Sequence, residues 1–369
     1  MAKGQVKKDG KMKIVIIGGG IIGGAIAYYL AQAQAGDISL IEKEKVCGLG
    51  VTQYCSGGVR HQFTTAINVQ FSLAAFKELR QFDIGYKKLG YLILDTESNC
   101  RDLTSLHAKL GVKSECLSPA DIKRRFSYIN IEGVRGGSFY AEDGIADPGR
   151  LLAIYEKGAR QKGVKFFFET TAHKIVKEKE KIQGVETSQG FLPAEVVVLA
   201  GGLGSEALAK TIGLDLPFVK RRKYIGVIEG FDFDFPLVME TPLGWYIKKE
   251  NNEALVGMSG EIEEKDFEKQ QMNMEKTIEH SLFRFPLTEK SGLKRILSSL
   301  SDETPDKHAI IDNSIFGLII AAGFSGHGFM HSPAAGQLIA NIIKEENPII
   351  ENWRALNLKR SCIKEKIAI

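Results

Sequence analysis

The chain has 369 residues and a mass of 40.7 kDa, more than one hydrophobic core usually organises, so we expect two domains or lobes. Its composition is 44% hydrophobic and 25% charged with a mean hydropathy of −0.09, which excludes a disordered chain, a collagen-like repeat and a polytopic membrane protein. The formal net charge of +4 gives no reason to expect a nucleic-acid partner.

The five cysteines are scattered along the chain, and none belongs to a CxxC pair. A disulfide framework or a zinc ribbon is therefore not expected, and we predict a cytoplasmic protein. An almost uncharged run at residues 14–31 could also be read as a signal peptide or a membrane span, but its glycines fall where they would break such a helix. The cysteines are Cys47, Cys55, Cys100, Cys116 and Cys362.

The start of the chain reads as a strand–turn–helix–strand unit. Residues 13–17 form a continuous apolar run typical of a buried strand, and three glycines follow at once. Residues 21–33 then predict a helix with small residues on its packing side, and residues 37–42 predict a second short strand. Such a βαβ unit is the usual opening of a doubly wound parallel sheet.

The rest of the chain alternates helical and strand patterns without an internal repeat, and it predicts an α/β nucleotide-binding domain in three separated pieces with an inserted α+β lobe. The predicted helices cover residues 68–82, 99–126, 148–161 and 267–283, and a last helix begins near Ser332 and Pro333 and ends at 344. The predicted strands cover residues 91–94, 195–200 and 317–322, a meander at 165–168, 173–176 and 183–186, and a mostly antiparallel sheet over 224–259.

Gly18, Gly20 and Gly23 form a GxGxxG pattern between the first strand and the first helix, which is the context that a dinucleotide fingerprint requires. Gly18 permits the tight turn, Gly20 lets backbone approach a pyrophosphate, and Gly23 lets helix and sheet pack closely. Glu42, at the end of the second strand, can accept hydrogen bonds from ribose hydroxyls. The pattern predicts a dinucleotide site but does not choose between NAD and FAD; the alternative is a glycine-rich packing turn.

Four stretches that span nearly the whole chain resemble the D-amino-acid-oxidase superfamily of FAD enzymes, and within it the branch of the sarcosine oxidase β-subunit and the dye-linked L-proline dehydrogenase β-subunit. They are residues 18–23 with Glu42 and Lys43; CSGGVRHQF at 55–63; DGIADP at 143–148; and Thr304-Pro-Asp306 leading to AGFSGHGFM at 322–330 with Ser332 and Pro333. The resemblance implies a Rossmann-type FAD-binding domain (12–85, 143–215 and 304–369) and a substrate-binding domain with a mainly antiparallel sheet (86–142 and 216–303).

The same resemblance implies which residues contact the flavin nucleotide. Residues 201–204 resemble the second flavin-contacting turn of the family, and Ala172 would meet the adenine through its backbone; ordinary loop and strand positions are the alternative. The implied FAD residues are Gly18, Gly20, Ile22, Gly23, Glu42, Lys43, Cys55, Ser56, Gly57, Gly58, Ala172, Ala200, Gly201, Gly204, Gly323, Ser325, Gly326, His327, Gly328, Phe329 and Met330.

On the substrate side, an enzyme that oxidises an amino acid needs a cation for the carboxylate and a dry pocket beside the flavin. Arg60 is the natural cation, since arginine grips a carboxylate through two parallel hydrogen bonds, and its position resembles that of a substrate arginine in monomeric sarcosine oxidases. A structural ion pair is the alternative. His61 is more often packed or flavin-adjacent than a base, and Tyr246 is either a pocket wall or core.

His327 and Met330, in the GHGFM block, complete the candidate substrate-side residues. His327 and His331 have the spacing of one helical face, but no third ligand is evident, so no metal is expected. The GFSGH sequence is not a nucleophile elbow, because its fifth position is His327 rather than glycine. The basic run at residues 221–223 could be a phosphate or partner patch, although a solvated strand end is the simpler interpretation.

Three departures from the family pattern bear on the chemistry. Ser299 stands where monomeric sarcosine oxidases carry the cysteine that attaches FAD, so we expect non-covalent FAD. Met330 and Leu255 stand where those enzymes carry lysines that bind carboxylate and support reaction with oxygen. The losses favour a dehydrogenase that passes electrons to a separate acceptor.

The sequence therefore predicts an FAD-dependent dehydrogenase that oxidises the C–N bond of a small amino acid, preferably a secondary amine such as proline or sarcosine. Alternatives are a glycine or D-amino-acid oxidase, a 2-hydroxy-acid dehydrogenase of the same fold, or a non-catalytic flavin-bound assembly subunit. Expected partners are the amino-acid substrate, the electron acceptor and, as a further option, copies of the chain or other dehydrogenase subunits. No nucleic acid and no membrane span are expected.

Overall fold

The computed structural model describes residues 11–97, 100–262, 267–361 and 364–367. Within them lie a six-stranded sheet, an eight-stranded sheet, a three-stranded meander and a two-stranded ribbon. The strands are β1 (Lys13–Ile17), β2 (Asp37–Ile41), β3 (Gly58–Val59), β4 (Tyr91–Asp95), β5 (Glu115–Leu117), β6 (Gly136–Tyr140), β7 (Gly144–Ile145), β8 (Lys165–Phe167), β9 (Ala172–Glu178), β10 (Lys181–Thr187), β11 (Gly190–Pro193), β12 (Val196–Leu199), β13 (Val219–Glu229), β14 (Leu237–Thr241), β15 (Trp245–Glu250), β16 (Glu253–Ile262), β17 (Leu293–Glu303), β18 (Ile310–Asp312) and β19 (Leu318–Ala322).

Eight α-helices connect or cover these strands in the described ranges. They are α1 (Ile21–Gln32), α2 (Ala66–Leu79), α3 (Arg101–Lys109), α4 (Pro119–Arg125), α5 (Pro148–Gln161), α6 (Ser205–Lys210), α7 (Phe267–Arg284) and α8 (Gly328–Ile343). Short 3-10 turns lie at Val51–Tyr54, Gly202–Gly204, Pro286–Lys290 and Trp353–Leu356. None of the helices so described is long and apolar enough to cross a membrane.

The six-stranded sheet has the order β18-β19-β12-β1-β2-β8 and is parallel except for the edge strand β18. Its central strand β1 is buried on both faces: Ile14 and Ile16 pack with α1, α5 and α8, whereas Val15 and Ile17 pack toward the meander. The carboxyl ends of β1, β12 and β19 therefore lie side by side, the edge where open α/β sheets bind their ligands.

The eight-stranded sheet has the order β17-β13-β16-β15-β14-β4-β6-β5 and is antiparallel except for the β14–β4 pair. One face packs under α7, where the indole Nε1–H of Trp245 donates to Ser281 Oγ at 2.9 Å. The other face carries a second apolar cluster, which includes Tyr91, Met239 and Tyr246. This cluster lies beside Arg60, whose guanidinium is 5.8 Å from the centroid of the Tyr91 ring.

The single helix predicted over residues 99–126 is wrong; residue 99 itself lies outside the described part. Two helices, α3 and α4, flank the short strand β5, which pairs with β6. The second helix begins at a capping box, in which Ser118 Oγ accepts from the backbone N–H of Asp121 and Pro119 occupies the first turn. These local signals start a new helix where the apolar spacing alone suggested continuity.

The strand predicted at residues 165–168 exists, but its assignment to the meander is wrong. Strand β8 pairs in parallel with β2 at the edge of the six-stranded sheet, and the third strand of the meander is β11. Periodicity identifies a strand but not its partner, so the error arose at the level of pairing.

The last long helix begins earlier than predicted. Helix α8 starts at Gly328 with His327 as its N-cap, which places Pro333 inside the helix rather than in its first turn. Proline has no N–H to donate to the carbonyl of Phe329, four residues earlier. The hydroxyl of Ser332 donates to that carbonyl instead, at 2.9 Å, so the helix tolerates its internal proline.

No disulfide framework was expected, yet one disulfide forms. Cys100 and Cys116 are bonded across 16 residues, with their Cα atoms 5.2 Å apart. The fold of α3 back onto β5 brings them together, and spacing alone gave no sign of it. Cys47 and Cys55 are free thiols, and Cys362 lies outside the described residues.

Candidate functional site

The turn between β1 and α1 is built for glycine. Gly18 has φ +107°, and a Cβ there would lie 2.5 Å from the carbonyl oxygen of Ala200. A Cβ on Gly23 would lie 1.8 Å from the carbonyl oxygen of Gly18. Both glycines are thus required by the approach of backbone to backbone.

Gly20 differs, because a Cβ there would meet only Thr52 Oγ1 at 3.4 Å. Gly20 is the N-cap of α1, without a side-chain cap, and Thr52 accepts a hydrogen bond from the N–H of Ile21 at 3.1 Å. The buried Ile22 lies beneath this turn against α8. Space in front of a helix N-terminus whose N-cap residue has no side chain is where a phosphate group can bind.

Glu42 lies at the end of β2, beside this turn. Its carboxylate accepts from the N–H groups of Gly19 at 2.6 Å and Glu44 at 3.0 Å, which leaves lone pairs for ribose hydroxyls. Lys43 is exposed and forms a surface pair with Glu44 at 3.6 Å. The N–H of Thr170 donates to the carbonyl of Glu42 and so brings the first residue of β9, Ala172, toward the same edge.

Two further turns leave the same edge of the sheet. After β12, Ala200 donates its N–H to the carbonyl of Ile17 and is followed by a turn that contains Gly201 and Gly204. After β19, Gly323 and Gly326 have φ of +66° and +84°, and Ser325 is also left-handed at +51°.

The 323–330 turn is held from outside by hydrogen bonds. Asp302 Oδ2 accepts from the N–H of Gly323 at 2.9 Å, and Ser325 Oγ accepts from the N–H of Thr304 at 3.0 Å. Gly328 then opens α8, and the side chains of Phe329 and Met330 are buried in the core beneath it. The Met330 side chain thus packs in the core, so a contact of Met330 with the flavin would have to come from its backbone.

Residues 55–58 cross between the two large sheets. Gly57 has φ +71°, and a Cβ there would lie 2.2 Å from the carbonyl oxygen of Ala146. Gly58 pairs with Ile145 in the two-stranded ribbon, and Cys55 precedes them as a half-buried free thiol. The carbonyl of Ser56 accepts a hydrogen bond from the ammonium of the buried Lys248.

Beside this crossing lies Arg60, of which only 1% is exposed. Its Nη2 donates to the main-chain carbonyl of Ile367 at 2.6 Å and lies 3.4 Å from Nε2 of His327. Its Nη1 has the sulfur of Met239 at 3.8 Å, and the guanidinium carbon lies 4.2 Å from the ring centroid of Phe63. Among the described residues, no carboxylate forms an ion pair with this buried cation.

Two buried polar atoms at this place have no hydrogen-bond partner within the described ranges: Arg60 Nε and the phenol oxygen of Tyr91. The guanidinium carbon lies 5.8 Å from the centroid of the Tyr91 ring. Unsatisfied buried polar groups are costly, so they mark a place where a polar ligand can bind. Tyr246 joins Tyr91 and Met239 in the apolar cluster of this face, and burial raises its pKa, so it remains a neutral phenol.

His61 does not face this space. Its Nδ1 lies 2.6 Å from Oδ1 of Asp143, which also accepts the His61 backbone N–H, and its ring stands edge-on to Phe76 at 4.6 Å. Gln62 Nε2 donates to the second oxygen of Asp143 at 3.0 Å. His61 is therefore placed as a packed residue that fixes the 60–63 segment, and the DGIADP stretch supplies its partner.

His327 and His331 are both buried in the first two turns of α8. Burial, followed by the positive charge of Arg60, lowers the pKa of His327 well below its usual range, and the same causes lower that of His331 to about 3. His331 Nε2 lies 3.0 Å from Ser72 Oγ. Both rings are consequently neutral at physiological pH. No cluster of three potential metal ligands occurs in the described part of the chain.

Two side chains of the basic run of β13 are engaged in ion pairs and do not form a freely solvated strand end. Arg221 Nε and Lys223 Nζ each lie 3.1 Å from the carboxylate of the buried Glu303, and Lys307 also pairs with it. Burial opposes ionisation of Glu303, but the charges of Lys223 and Lys307 outweigh it and lower its pKa to about 2. The ion-pair cluster fixes β13 and β17 next to the 323–330 turn.

A parallel sheet with glycine turns at its carboxyl edge and an open helix N-terminus defines a dinucleotide-binding protein. The profile of the family of FAD dependent oxidoreductases, DAO, matches residues 13–342, and the chain belongs to this family. The predicted resemblance, the fold class and the dependence on FAD are thereby confirmed. The glycine-lined space before α1 and the lone pairs of Glu42 fit the phosphates and a ribose of such a group.

Individual relatives extend this result. FAD-dependent oxidoreductase domain-containing protein 1 of Xenopus laevis is 28% identical over 402 residues, covering 89% of this chain and 78% of that protein. The 4-methylaminobutanoate oxidase (formaldehyde-forming) of Paenarthrobacter nicotinovorans is 26% identical; the match covers 91% of this chain but 44% of that protein, so this chain spans less than half of that relative.

Two solved structures show the likeness in three dimensions. The L-proline dehydrogenase from P. horikoshii superposes with a TM-score of 0.84 at 25% identity, covering 93% of this chain and 96% of that chain. The glycine oxidase from Geobacillus kaustophilus superposes with a TM-score of 0.83 at 22% identity, covering 95% and 100%, which shows a common fold.

Sequence reasoning brought Arg60, Tyr246 and His327 to one region but missed several neighbours. Tyr91 was predicted only as a strand residue. Its place beside Arg60 was not recognised, because the pairing of β4 with β14, which puts Tyr91 and Met239 in one cluster, was not predicted. Ile367 had no signal, since its contact with Arg60 joins residues that lie 307 positions apart.

Proposed function

We propose that this protein is an FAD-dependent dehydrogenase that oxidises the C–N bond of a small amino acid, preferably a secondary amine such as proline or sarcosine. The observation that carries the proposal is the buried Arg60, whose guanidinium has no carboxylate partner among the described residues. A buried cation without a counter-charge is costly to the fold. A substrate carboxylate supplies that charge.

When bound, FAD supplies the acceptor for the hydride that leaves the substrate. The residues of the chain bind and orient the substrate: Arg60 holds the carboxylate, and the walls formed by Tyr91 and Tyr246 exclude water. His327, neutral because burial lowers its pKa, adds no positive charge that would repel the substrate amine. Beyond the arginine, the neighbouring side chains of Met239, Phe63 and Tyr91 are largely apolar, which suits a substrate with an apolar body.

For the cofactor, we propose that the turns at Gly18, Gly201 and Gly323 hold FAD without a covalent bond. Ser299 replaces the attaching cysteine and lies within β17, where it pairs with Lys223. Acid or heat precipitation should release all flavin into the supernatant as FAD. Flavin fluorescence that stays with the precipitated polypeptide would contradict this.

We also propose that the six-stranded sheet with its meander is the FAD-binding domain and the eight-stranded sheet the substrate-binding domain, with the boundaries predicted above. A separate electron acceptor, and association with further subunits, belong to the same proposal.

The cytoplasmic location stays a prediction, against which the Cys100–Cys116 bond counts because disulfides are rare in reducing compartments.

An anaerobic flavin-reduction screen tests the function. We expect proline or sarcosine to bleach the flavin absorbance faster than glycine or D-alanine, and pyrrolidine, which lacks the carboxylate, to be inactive. Little hydrogen peroxide should form in air, in keeping with a dehydrogenase. Bleaching by 2-hydroxy acids alone would replace the C–N assignment, and the absence of bleaching by every compound would favour the non-catalytic subunit.

A further inference from the structure

The described segment 364–367 brings its last residue, Ile367, beside Arg60 in the candidate substrate site. Ile367 is buried in the same apolar cluster as Tyr91, Met239 and Tyr246. Its carbonyl accepts the 2.6 Å hydrogen bond from Arg60 Nη2. One wall of the pocket is therefore a short segment without helix or strand structure.

Glu365 anchors this segment. It is 1% exposed, and its carboxylate accepts hydrogen bonds from five donor groups at the start of α2: the backbone N–H and hydroxyl of Thr64, the same pair on Thr65, and the amide of Asn68. The segment also donates the N–H of Glu365 to the carbonyl of Asp306 at 2.9 Å. A carboxylate at a helix N-terminus is a favourable arrangement.

The carbonyl of Ile367 occupies the nitrogen that a two-pronged carboxylate needs. A guanidinium offers two forks, Nε with Nη2 and Nη1 with Nη2, and both use Nη2. Nη2 has two N–H groups, one for each fork. In this structure Nη2 donates to the carbonyl of Ile367 at 2.6 Å and lies 3.4 Å from Nε2 of His327, whereas Nε has no hydrogen-bond partner within the described ranges. A substrate carboxylate can use the fork that Ile367 occupies only if Ile367 yields its place.

We infer that residues 364–367 form a displaceable wall of the substrate pocket, anchored by Glu365, whose Ile367 carbonyl is exchanged at Arg60 for the carboxylate of the substrate. The inference rests on the proposed function. The exchange is favourable because a charged acceptor forms a stronger bond to a guanidinium than a neutral carbonyl does. Compounds without a carboxylate have no means of opening the pocket, so the wall adds selectivity for amino acids over amines.

The test uses the FAD-loaded protein and cyclopentanecarboxylate, which has the size of proline but no oxidisable amine; cyclopentanecarboxamide is its neutral control. Amide hydrogen exchange follows the peptide that contains residues 364–367. The carboxylate should accelerate exchange there, because the N–H groups of Lys366 and Ile367 lose their bonds to Thr64 and Glu365. The carboxamide should leave exchange unchanged.

Three variants refine the test, with the dissociation constant of cyclopentanecarboxylate measured by flavin absorbance. Glu365→Ala frees the segment and should tighten binding by about 3- to 30-fold, because less of the protein is in the closed state. Ile367→Gly, which leaves the Glu365 anchor intact, should act in the same direction if Glu365→Ala fails to fold. Lys366→Ala, at an exposed side chain of the same segment, is the matched control and should bind as the parent protein does.

The two proposals fail differently. Binding that depends on Arg60 but leaves the exchange of residues 364–367 unchanged, with equal dissociation constants in all variants, would overturn the displaceable wall and leave the function standing. Binding that persists unchanged in Arg60→Ala would overturn the proposed function instead.

Discussion

Arg60 carries a permanent charge at a buried position, and among the described residues the one oxygen that accepts a hydrogen bond from it is the carbonyl of Ile367. Such a residue either anchors a ligand or supports the fold, and the two roles predict different losses. As an anchor, Arg60→Ala should retain FAD and lower kcat/KM by about 30- to several-thousand-fold, the equivalent of about 2–5 kcal/mol. Flavin content and steady-state kinetics, measured on the same preparation, report the retention of FAD and the loss of kcat/KM.

Arg60→Lys should recover only part of the loss, because an ammonium cannot form the two-pronged contact. The exposed Arg295 is a matched control, and Arg295→Ala should leave kcat/KM unchanged. Loss of flavin from Arg60→Ala, or a lower melting temperature with normal kinetics, would instead assign Arg60 a structural role.

Asp302, which accepts the Gly323 N–H, should give the protein a stability that depends on pH. Burial raises its pKa to about 6, above its ordinary value of 3.8. The unfolded chain therefore ionises first, and stability falls as pH rises from about 4 to about 6 and is constant above that. Because the side chain keeps some exposure, we expect a loss of about 1–2 kcal/mol.

Thermal unfolding of Asp302→Asn between pH 4 and 7 tests this prediction, since asparagine can still accept the Gly323 bond without titrating. The variant should lose less stability than the parent protein over that interval, while Asp234→Asn, at an exposed position, should follow the parent protein. Parallel curves for all three proteins would show that Asp302 ionises normally.

At the scale of elements, α8 shows how one side chain lets a helix contain a proline. Ser332 supplies the hydrogen bond to the Phe329 carbonyl that Pro333 cannot give. Ser332→Ala should therefore cost about 1–3 kcal/mol of unfolding free energy, since it leaves a buried carbonyl unsatisfied. In the double variant Ser332→Ala/Pro333→Ala the new backbone N–H can bond that carbonyl, so part of the loss should return.

Chemical denaturation of the two single variants and the double variant gives the coupling between the two positions. Strict additivity would mean that the serine hydroxyl does not compensate for the proline. The Tyr155 hydroxyl, 3.3 Å from Ser332 Oγ, loses this partner whenever Ser332 is replaced. The double variant therefore does not recover all of the lost unfolding free energy.

The sequence predicts elements that are set by neighbouring residues, but not the pairings and contacts that join distant parts of the chain. The glycines at 18, 20 and 23 predict a strand–turn–helix unit from local sequence alone. For this reason β1, α1 and β2 were predicted almost to the residue. Strand β8 was found but given the wrong neighbours, because pairing depends on the whole sheet. The contact between Arg60 and residue 367 lay beyond any local pattern, and so did the Cys100–Cys116 bond.

At the scale of the molecule, the proposed flavin site joins turns from three distant parts of the chain, at Gly18, Gly201 and Gly323, so binding should stabilise the whole first sheet. FAD at a hundred times its dissociation constant should add about 2.7 kcal/mol to the free energy of unfolding. Thermal unfolding of the apoprotein with and without FAD measures this. Riboflavin, which lacks the phosphates and adenosine that the Gly18 turn and Glu42 are proposed to hold, should give a much smaller shift.

Gly20→Val provides the matched variant for that experiment. Only Thr52 Oγ1 lies near the space its side chain would enter, so the apoprotein should fold, but the branched side chain occupies the place proposed for the phosphates. Its melting temperature should not respond to FAD. An equal response from riboflavin, or an unimpaired response in Gly20→Val, would move the nucleotide away from this turn.

The interleaved order of the first sheet also has a consequence in time. Its central strand β1 is made first, yet its neighbour β12 is made about half-way along the chain, and β19 and the first turn of α8 come still later. During synthesis, β1 and the GxGxxG turn therefore exist for most of translation without two of the strands that complete the sheet. One edge of β1 can pair with β2 at once, but the edge that pairs with β12 stays open until that strand is made. The proposed flavin site is complete only when the chain is nearly finished.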